Sequence, residues 1–174
     1  MDFFELIHKR QSIRKWQDKP LERTTLNCIL EAIRLAPSAG NFQAYEVYVA
    51  KSAERRKAIA GATWDQGFIA DAPIVLVFCS HAERCEYPGA ETYALEDTVI
   101  ACTFAMLAVT ELGLGAVWIG AFDPKKMAET LGLPDGQVPI ALLPIGYADE
   151  TPARTTRRAI QEFVCEVPPK GSAQ

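Results

Sequence analysis

Leu112-Gly113-Leu114-Gly115-Ala116-Val117-Trp118-Ile119-Gly120 joins the end of a long apolar helical pattern to a strand-like run, and that order decides the fold class. The stretch contains G-x-G, the start of a dinucleotide-binding fingerprint. The third glycine, however, comes two positions late, and Trp118 occupies its place. The fingerprint also needs a strand followed by a helix, because the helix N-terminus holds the pyrophosphate. Here a helix precedes a strand, so the dinucleotide fingerprint is rejected. Gly113 reads as the stop of the helix, since glycine takes the left-handed conformation that ends helices.

Upstream, Ala90 to Leu112 is apolar on nearly every side, as expected for a helix in the middle of a domain or at a subunit interface. Ala101, Ala105 and Ala108 fall at helical spacing and allow another helix to approach closely. Before it, Ile74 to Cys79 is a continuous Val/Ile-rich run, the pattern of a strand buried on both faces. Leu26, Ile29, Leu30 and Ile33 mark an amphipathic helix. That helix stops at Ala36-Pro37, because the residue before proline is pushed out of the helical region. Glu46 to Ala50 reads as a strand and Ala53 to Ala60 as a polar helix. Downstream, Ala116 to Ile119 reads as a strand. Asp123-Pro124 caps and opens a short helix that Gly132 closes, and Pro139 to Ile145 is a further strand. Four strands and about four helices make one α/β or α+β domain. The polar tail from Asp149 carries Arg154, Arg157 and Arg158. It ends in an apolar patch, Phe163 to Val167, that has to dock on its own domain or on a partner.

Composition narrows the classes. The chain has 174 residues, 49% hydrophobic and 23% charged, with a net charge of −4. This is ordinary globular composition, and it offers no electrostatic support for nucleic-acid binding. No apolar run approaches membrane-spanning length and the N-terminus has no signal-peptide pattern, so the expectation is a soluble, cytoplasmic protein that does not enter a membrane. Five cysteines without a secretory signal read as reduced thiols, with Cys28, Cys79 and Cys102 in apolar patterns expected to be buried. Cys79, His81 and Cys85 lack the paired C-x-x-C of a zinc site, and no metal is expected. His8 and His81 read as surface residues among charges. Neither G-x-x-x-x-G-K-[ST] nor G-x-S-x-G occurs.

Two segments carry chemistry. In His8-Lys9-Arg10-Gln11-Ser12-Ile13-Arg14, two guanidinium forks flank a hydroxyl. In an extended segment Arg10, Ser12 and Arg14 project to one side, whereas on a helix Ser12 would point away. Left extended near Arg10, the triplet suits a phosphate monoester; the same residues also suit a solvated basic patch. The loop Ala36-Pro37-Ser38-Ala39-Gly40-Asn41-Phe42-Gln43 combines small residues, which let the backbone approach a flat ligand, with two side-chain amides suited to the polar edge of a ring.

These segments, with Leu112 to Asp123 and Leu143-Pro144-Ile145-Gly146-Tyr147 and its following arginines, resemble the FMN-dependent nitroreductase family, in order from about Phe4 to Val164. The chain looks like a compact member. The resemblance implies an α+β fold, a nitroreductase-like α/β sandwich whose central, mostly antiparallel sheet is flanked by helices. Residues 1–167 would form one FMN-binding domain and 168–174 a disordered tail. It implies a homodimer with FMN at the subunit interface and the C-terminal tail docked on the partner. Arg10, Ser12 and Arg14 match the residues that hold the phosphate and ribityl chain, with Gln11 in the same strip. Of Arg157 and Arg158, one completes the phosphate site, and the sequence leaves open which. Pro37, Ser38, Ala39 and Asn41 match the loop that contacts flavin from the other subunit. Ile119, Gly120 and Ala121 match a strand end whose backbone N–H faces the reactive ring nitrogen. Gly120 stands where some relatives carry Glu, so no side-chain acid or base is expected there.

Gln66 is a further candidate contact. Trp64, Phe68 and Tyr93 are either pocket or core aromatics, with core packing favoured. Phe104, where many relatives carry a polar residue beside Thr103, departs from the family pattern. The implied activity is reduction of nitroaromatic, quinone or related electron-poor acceptors by NADH or NADPH in a ping-pong sequence. Flavin carries the redox chemistry, which explains the lack of an acid–base dyad. A family branch with another reductive reaction (enone reduction, dehalogenation, flavin breakdown) and a non-enzymatic flavin-binding protein remain alternatives.

Overall fold

Ile74 to His81 forms strand β2, and its alternate side chains enter two different cores. This computed structural model describes residues 1–167; the expected tail 168–174 lies outside the described residues. Leu76 and Phe78 face helices α2 (Arg23–Arg34) and α4 (Ala90–Glu111). Val75, Val77 and Cys79 face the opposite layer, with Ile59 of α3 (Ala53–Gly61) and Met127 of α5 (Pro124–Leu131). The alternation of a strand thus produces the three-layer sandwich, and the both-faces burial read from Ile74 to Cys79 holds.

The sheet runs β1-β2-β4-β3, with every pairing antiparallel. Strand β1 is Tyr45–Ala50, β3 is Gly115–Ala116 and β4 is Gln137–Gly146. The expected strand Ala116 to Ile119 is therefore cut short. Gly115 pairs with Gly146, Ala116 with Ile145 and Ile119 with Leu142, all in one register. That register sets Val117 opposite Pro144, which has no N–H to donate, and the ladder breaks there.

Helix α1 (Phe3–Lys9) is closed at its start by a capping box between Asp2 and Glu5 and ends at Arg10, where the chain becomes extended. Ser12 then bridges Ala116 in parallel, and the Ile13 N–H donates to the Ala116 carbonyl at 3.0 Å. This docking depends on Gly115. A Cβ there would lie 2.8 Å from three side-chain atoms of Ile13. We expect Gly115→Ala to destabilise the protein by about 1–3 kcal/mol through overpacking, read as a lower urea midpoint. An unchanged midpoint would mean that residues 12–14 do not pack on β3.

Helix α4 corrects one expectation and meets another. By length and composition it is apolar enough to cross a membrane, contrary to the reading that no run approaches that length. In the fold it is a core helix: Ala101 and Ala105 are fully buried with Ile29 and Ile33 of α2, so the close approach their size permits is made by a helix of the same chain. Its other side leaves Leu95, Val99 and Phe104 exposed. Phe3, Phe4 and Ile7 of α1 are exposed as well, as are Ile160, Phe163, Val164 and Val167 of the tail. The apolar patch of the tail therefore does not dock on its own chain. Cys28 is exposed rather than buried, whereas Cys79 and Cys102 are buried and all five cysteines are free.

Candidate active site

The extended strip after α1 and the tail after β4 run side by side. Gln17 N–H donates to the Tyr147 carbonyl at 2.9 Å, Asp149 N–H to the Lys15 carbonyl at 3.0 Å, and the Gln11 amide to the Pro152 carbonyl at 3.0 Å. Glu150 accepts from the N–H groups of Arg14 and Lys15. Its carboxylate is thereby spent on backbone. Between the two segments lies an open cavity of about 440 Å³. Arg10, Ser12 and Arg14 line it from one side, and Arg154, Thr155 and Arg157 from the other.

None of these four guanidiniums forms an ion pair among the described residues. Four uncompensated cations around one cavity, in a chain of net charge −4, favour a compact multivalent anion. Arg157 Nη1 is oriented by Thr155 Oγ1 at 2.6 Å and by the Thr155 and Thr156 carbonyls. Arg158 does not line the cavity; its guanidinium lies 5.6 Å from the centre of the Phe163 ring. His8, read as a surface residue, is exposed but also lines this cavity.

A second group sits at the end of the strand that follows β3. Ala116 bridges Ser12 of the extended strip, and Gly120 lies four residues further, a contour of about 13 Å at about 3.3 Å per residue. Ile119 is anchored by reciprocal backbone bonds to Leu142 of 3.0 and 2.8 Å. Gln66 donates to the Ala121 carbonyl at 2.8 Å, and Thr63 bridges Phe122. Gly120 and Ala121 are exposed, and among the described residues their N–H groups have no hydrogen-bond acceptor. A Cβ on Gly120 would meet only Trp118 Nε1, at 3.8 Å, so the space above the strand end is open.

The third group is the loop after α2. Pro37 is exposed, Ser38 and Ala39 are half-buried, and Asn41 is exposed. The loop does not line the arginine cavity of its own chain. Gly40, Asn41 and Gln43 are all left-handed, with φ of 52°, 59° and 50°. Such a turn is unusual for non-glycine residues and needs external support. Gln43 N–H donates to Ser38 Oγ at 3.1 Å, and the buried carboxylate of Asp97 accepts from Ala39 N–H at 2.8 Å and Ala44 N–H at 3.2 Å.

Other candidates resolve differently. Trp64 is exposed, against the core reading favoured for it, whereas Phe68 packs with Trp16 and Tyr93 with Ala44 and Ala94. His81 Nδ1 lies 3.3 Å from Glu46. Burial, with the nearby Glu46 carboxylate, pushes the Cys79 thiol up to about 12, so as a free thiol it stays protonated at neutral pH. Burial raises the Cys102 thiol as well. Among the described residues no group of three or more His, Cys, Asp or Glu is arranged to hold a metal ion.

Sequence reading missed Arg154, Glu150 and Asp97. Arg154 and Glu150 had no motif around them. Asp97 did leave a signal: it falls at helical spacing with Ala94 and Ala101 on the buried face, where a carboxylate is costly unless it is hydrogen-bonded.

The nitroreductase family model matches residues 7–68 and 62–147, so the tail arginines lie beyond the matched stretch. A "Putative NADH dehydrogenase/NAD(P)H nitroreductase" of Methanothermobacter thermautotrophicus is 30% identical over 156 residues, covering 87% of this chain and 80% of that protein. The "FMN reductase [NAD(P)H]" of Bacillus subtilis is 33% identical over 164 residues, covering 84% of this chain and 66% of that protein. The crystal structure of a nitroreductase family protein from Clostridium difficile superposes with a TM-score of 0.86 at 32% identity, over 95% of this chain and 98% of that one. Sandwich and these similarities agree: the chain belongs to the nitroreductase family of oxidoreductase enzymes.

Proposed function

We propose that the protein is an FMN-dependent oxidoreductase that uses NADH or NADPH to reduce nitroaromatic, quinone or related electron-poor acceptors. The observation that carries this reading is the cavity lined by Arg10, Ser12, Arg14, Arg154 and Arg157, whose guanidiniums pair with no carboxylate among the described residues. The donor set fits a phosphate monoester: planar forks for the oxygens and a hydroxyl between them. In this assignment Arg157 rather than Arg158 completes the phosphate site, and Arg154 joins it. Gln11 orients the strip through its bond to Pro152.

FMN, when bound, supplies a centre that takes hydride from the nicotinamide and passes electrons to the acceptor. The chain's own work is binding and electrostatics. The free N–H groups at Gly120 and Ala121 would serve as donors to the bound ring and would stabilise negative charge developing on a ring nitrogen. Ile119 holds that strand end rigid, and Gln66 fixes the Ala121 carbonyl so that the two N–H groups keep their direction. No side-chain acid or base is needed. The open space above Gly120 supports a ping-pong order, in which a nicotinamide and then an acceptor would use the same site in turn.

The loop of Pro37, Ser38, Ala39 and Asn41 is assigned to the flavin of the partner subunit in a homodimer. Support comes from its separation from the arginine cavity of its own chain and from the uncovered apolar residues of α1, α4 and the tail. Burying such exposed apolar surface is the usual drive for permanent association. Five free cysteines suit a reducing, cytoplasmic compartment.

The test is anaerobic. Protein loaded with FMN should lose its visible flavin absorption on addition of NADH or NADPH and regain it on addition of a nitroaromatic or a quinone. Initial rates over both substrates should give parallel double-reciprocal lines. Bound flavin that stays oxidised through a long incubation with both nucleotides would refute the oxidoreductase reading.

A further inference from the structure

Asp97 is the only acidic or basic residue buried among the described residues, at 1% exposure, and none of the redox chemistry uses it. It stands on α4, yet both of its oxygens serve another element. Oδ1 accepts from Ala39 N–H and Oδ2 from Ala44 N–H, at 2.8 and 3.2 Å. The two bonds bracket the left-handed residues Gly40, Asn41 and Gln43. Bonds inside the loop set its curl but tie it to nothing outside: Asn41 N–H donates to the Ser38 carbonyl, Phe42 N–H to the Ala39 carbonyl, Gln43 N–H to Ser38 Oγ, and the Gln43 side-chain amide to the Asn41 carbonyl at 3.1 Å and Oδ1 at 3.4 Å. Asp97 supplies that external tie at both ends. A buried carboxylate is tolerated only when hydrogen-bonded, and charge-assisted bonds to two backbone donors are strong and directional. The loop is also propped from beneath: Phe42 meets Tyr87 edge-on at 5.0 Å, and a side chain on Gly40 would collide with Phe42, at 2.6 Å.

We propose that Asp97 is the positioning residue of the flavin loop: its carboxylate clamps Ala39 and Ala44 so that the strained turn between them presents the amides of Asn41 and Gln43 to the polar edge of the flavin ring. This rests on the flavin reading above. The clamp also ties the loop to α4, the helix whose exposed side carries Leu95, Val99 and Phe104. Loop geometry is thereby fixed relative to the surface assigned to the partner subunit.

The experiment compares the wild-type chain with Asp97→Asn and Thr98→Val. Asp97→Asn keeps the shape but turns one acceptor into an NH₂ group facing a backbone N–H. Thr98→Val alters the same buried face without touching the loop, since Thr98 Oγ1 bonds only the Ala94 carbonyl within α4. In wild-type apoprotein, amide hydrogen exchange at Ala39 and Ala44 should be slow despite their place in a loop. In Asp97→Asn it should quicken at least about tenfold, the affinity for FMN should fall by about tenfold, and the visible band of bound flavin should shift. Thr98→Val should change the unfolding midpoint while leaving loop exchange, FMN affinity and spectrum at wild-type values.

Unprotected Ala39 and Ala44 amides in the wild type overturn the clamp whatever the variants do. Faster loop exchange with unchanged FMN affinity and spectrum overturns its role toward the flavin. Equal losses in Thr98→Val reduce Asp97 to a general stabiliser of the core and also overturn the proposal. Protected loop amides in a wild-type protein that binds no FMN mark a failure of the flavin reading itself, and the role of Asp97 toward flavin falls with it.

Discussion

Replacing Arg10 by alanine is expected to weaken FMN binding by roughly 1.5–3 kcal/mol, or roughly tenfold to 150-fold, the worth of a hydrogen bond to a charged group. Arg10 stands where α1 ends and the chain turns extended, so its side chain is directed by the helix terminus and lines the arginine cavity half-buried. No carboxylate competes for it among the described residues. Arg14, Arg154 and Arg157 remain in the variant, which sets the loss near the lower end of that range. Riboflavin lacks the phosphate, so its affinity should not change. Arg10→Lys should recover only part of the loss, because an ammonium keeps the charge but not the bidentate fork. Quenching of flavin fluorescence on titration into apoprotein reads all three. A variant with wild-type affinity for FMN would mean that the phosphate lies elsewhere.

Replacing Phe78 by alanine should cost about 3–5 kcal/mol of folding stability, through lost burial and the cavity left behind. Phe78 is fully buried in β2, the strand that pairs with both β1 and β4. Its ring belongs to the core shared by the sheet, α2 and α4, among Ile29, Ile33, Leu76 and Leu143. A domain of this size has total stability of only about 5–15 kcal/mol, so the variant should unfold at a much lower urea concentration, or fail to accumulate folded. Cys79→Ala, the next position in the strand, points to the other core and removes much less side chain. Its loss should be clearly smaller. Equal losses at the two positions would contradict the full burial of the Phe78 ring in this core.

The sequence was most legible where one physical rule sufficed. A six-residue apolar run of β-branched type became β2, Asp123-Pro124 opened α5, Gly132 closed it, and the chain left its first helix at Arg10. Rules that depend on a partner were less legible. The strand at Ala116 to Ile119 broke because its neighbour in the sheet presents Pro144, which only the pairing reveals. The uniform apolarity of Ala90 to Leu112 concealed that one side meets α2 and the sheet while Leu95, Val99 and Phe104 face outward. In the site, the residues of Arg10 to Arg14 could be read as an anion strip from their side-chain chemistry. The choice of Arg157 over Arg158, and the presence of Arg154, needed the tail to be laid against that strip. Asp97 was hidden by its neighbours, since a carboxylate within an apolar helix announces a buried partner only when its face is known.

Assignment of the arginine cavity as the FMN phosphate site rests on its four guanidiniums. The most direct measurement is calorimetric titration of apoprotein with FMN and with riboflavin, each at low and at high salt. With the phosphate held there, FMN should bind at least about tenfold more tightly than riboflavin, with the advantage shrinking as salt screens the partly exposed guanidiniums. Equal affinities for FMN and riboflavin, unchanged by salt, would contradict the assignment.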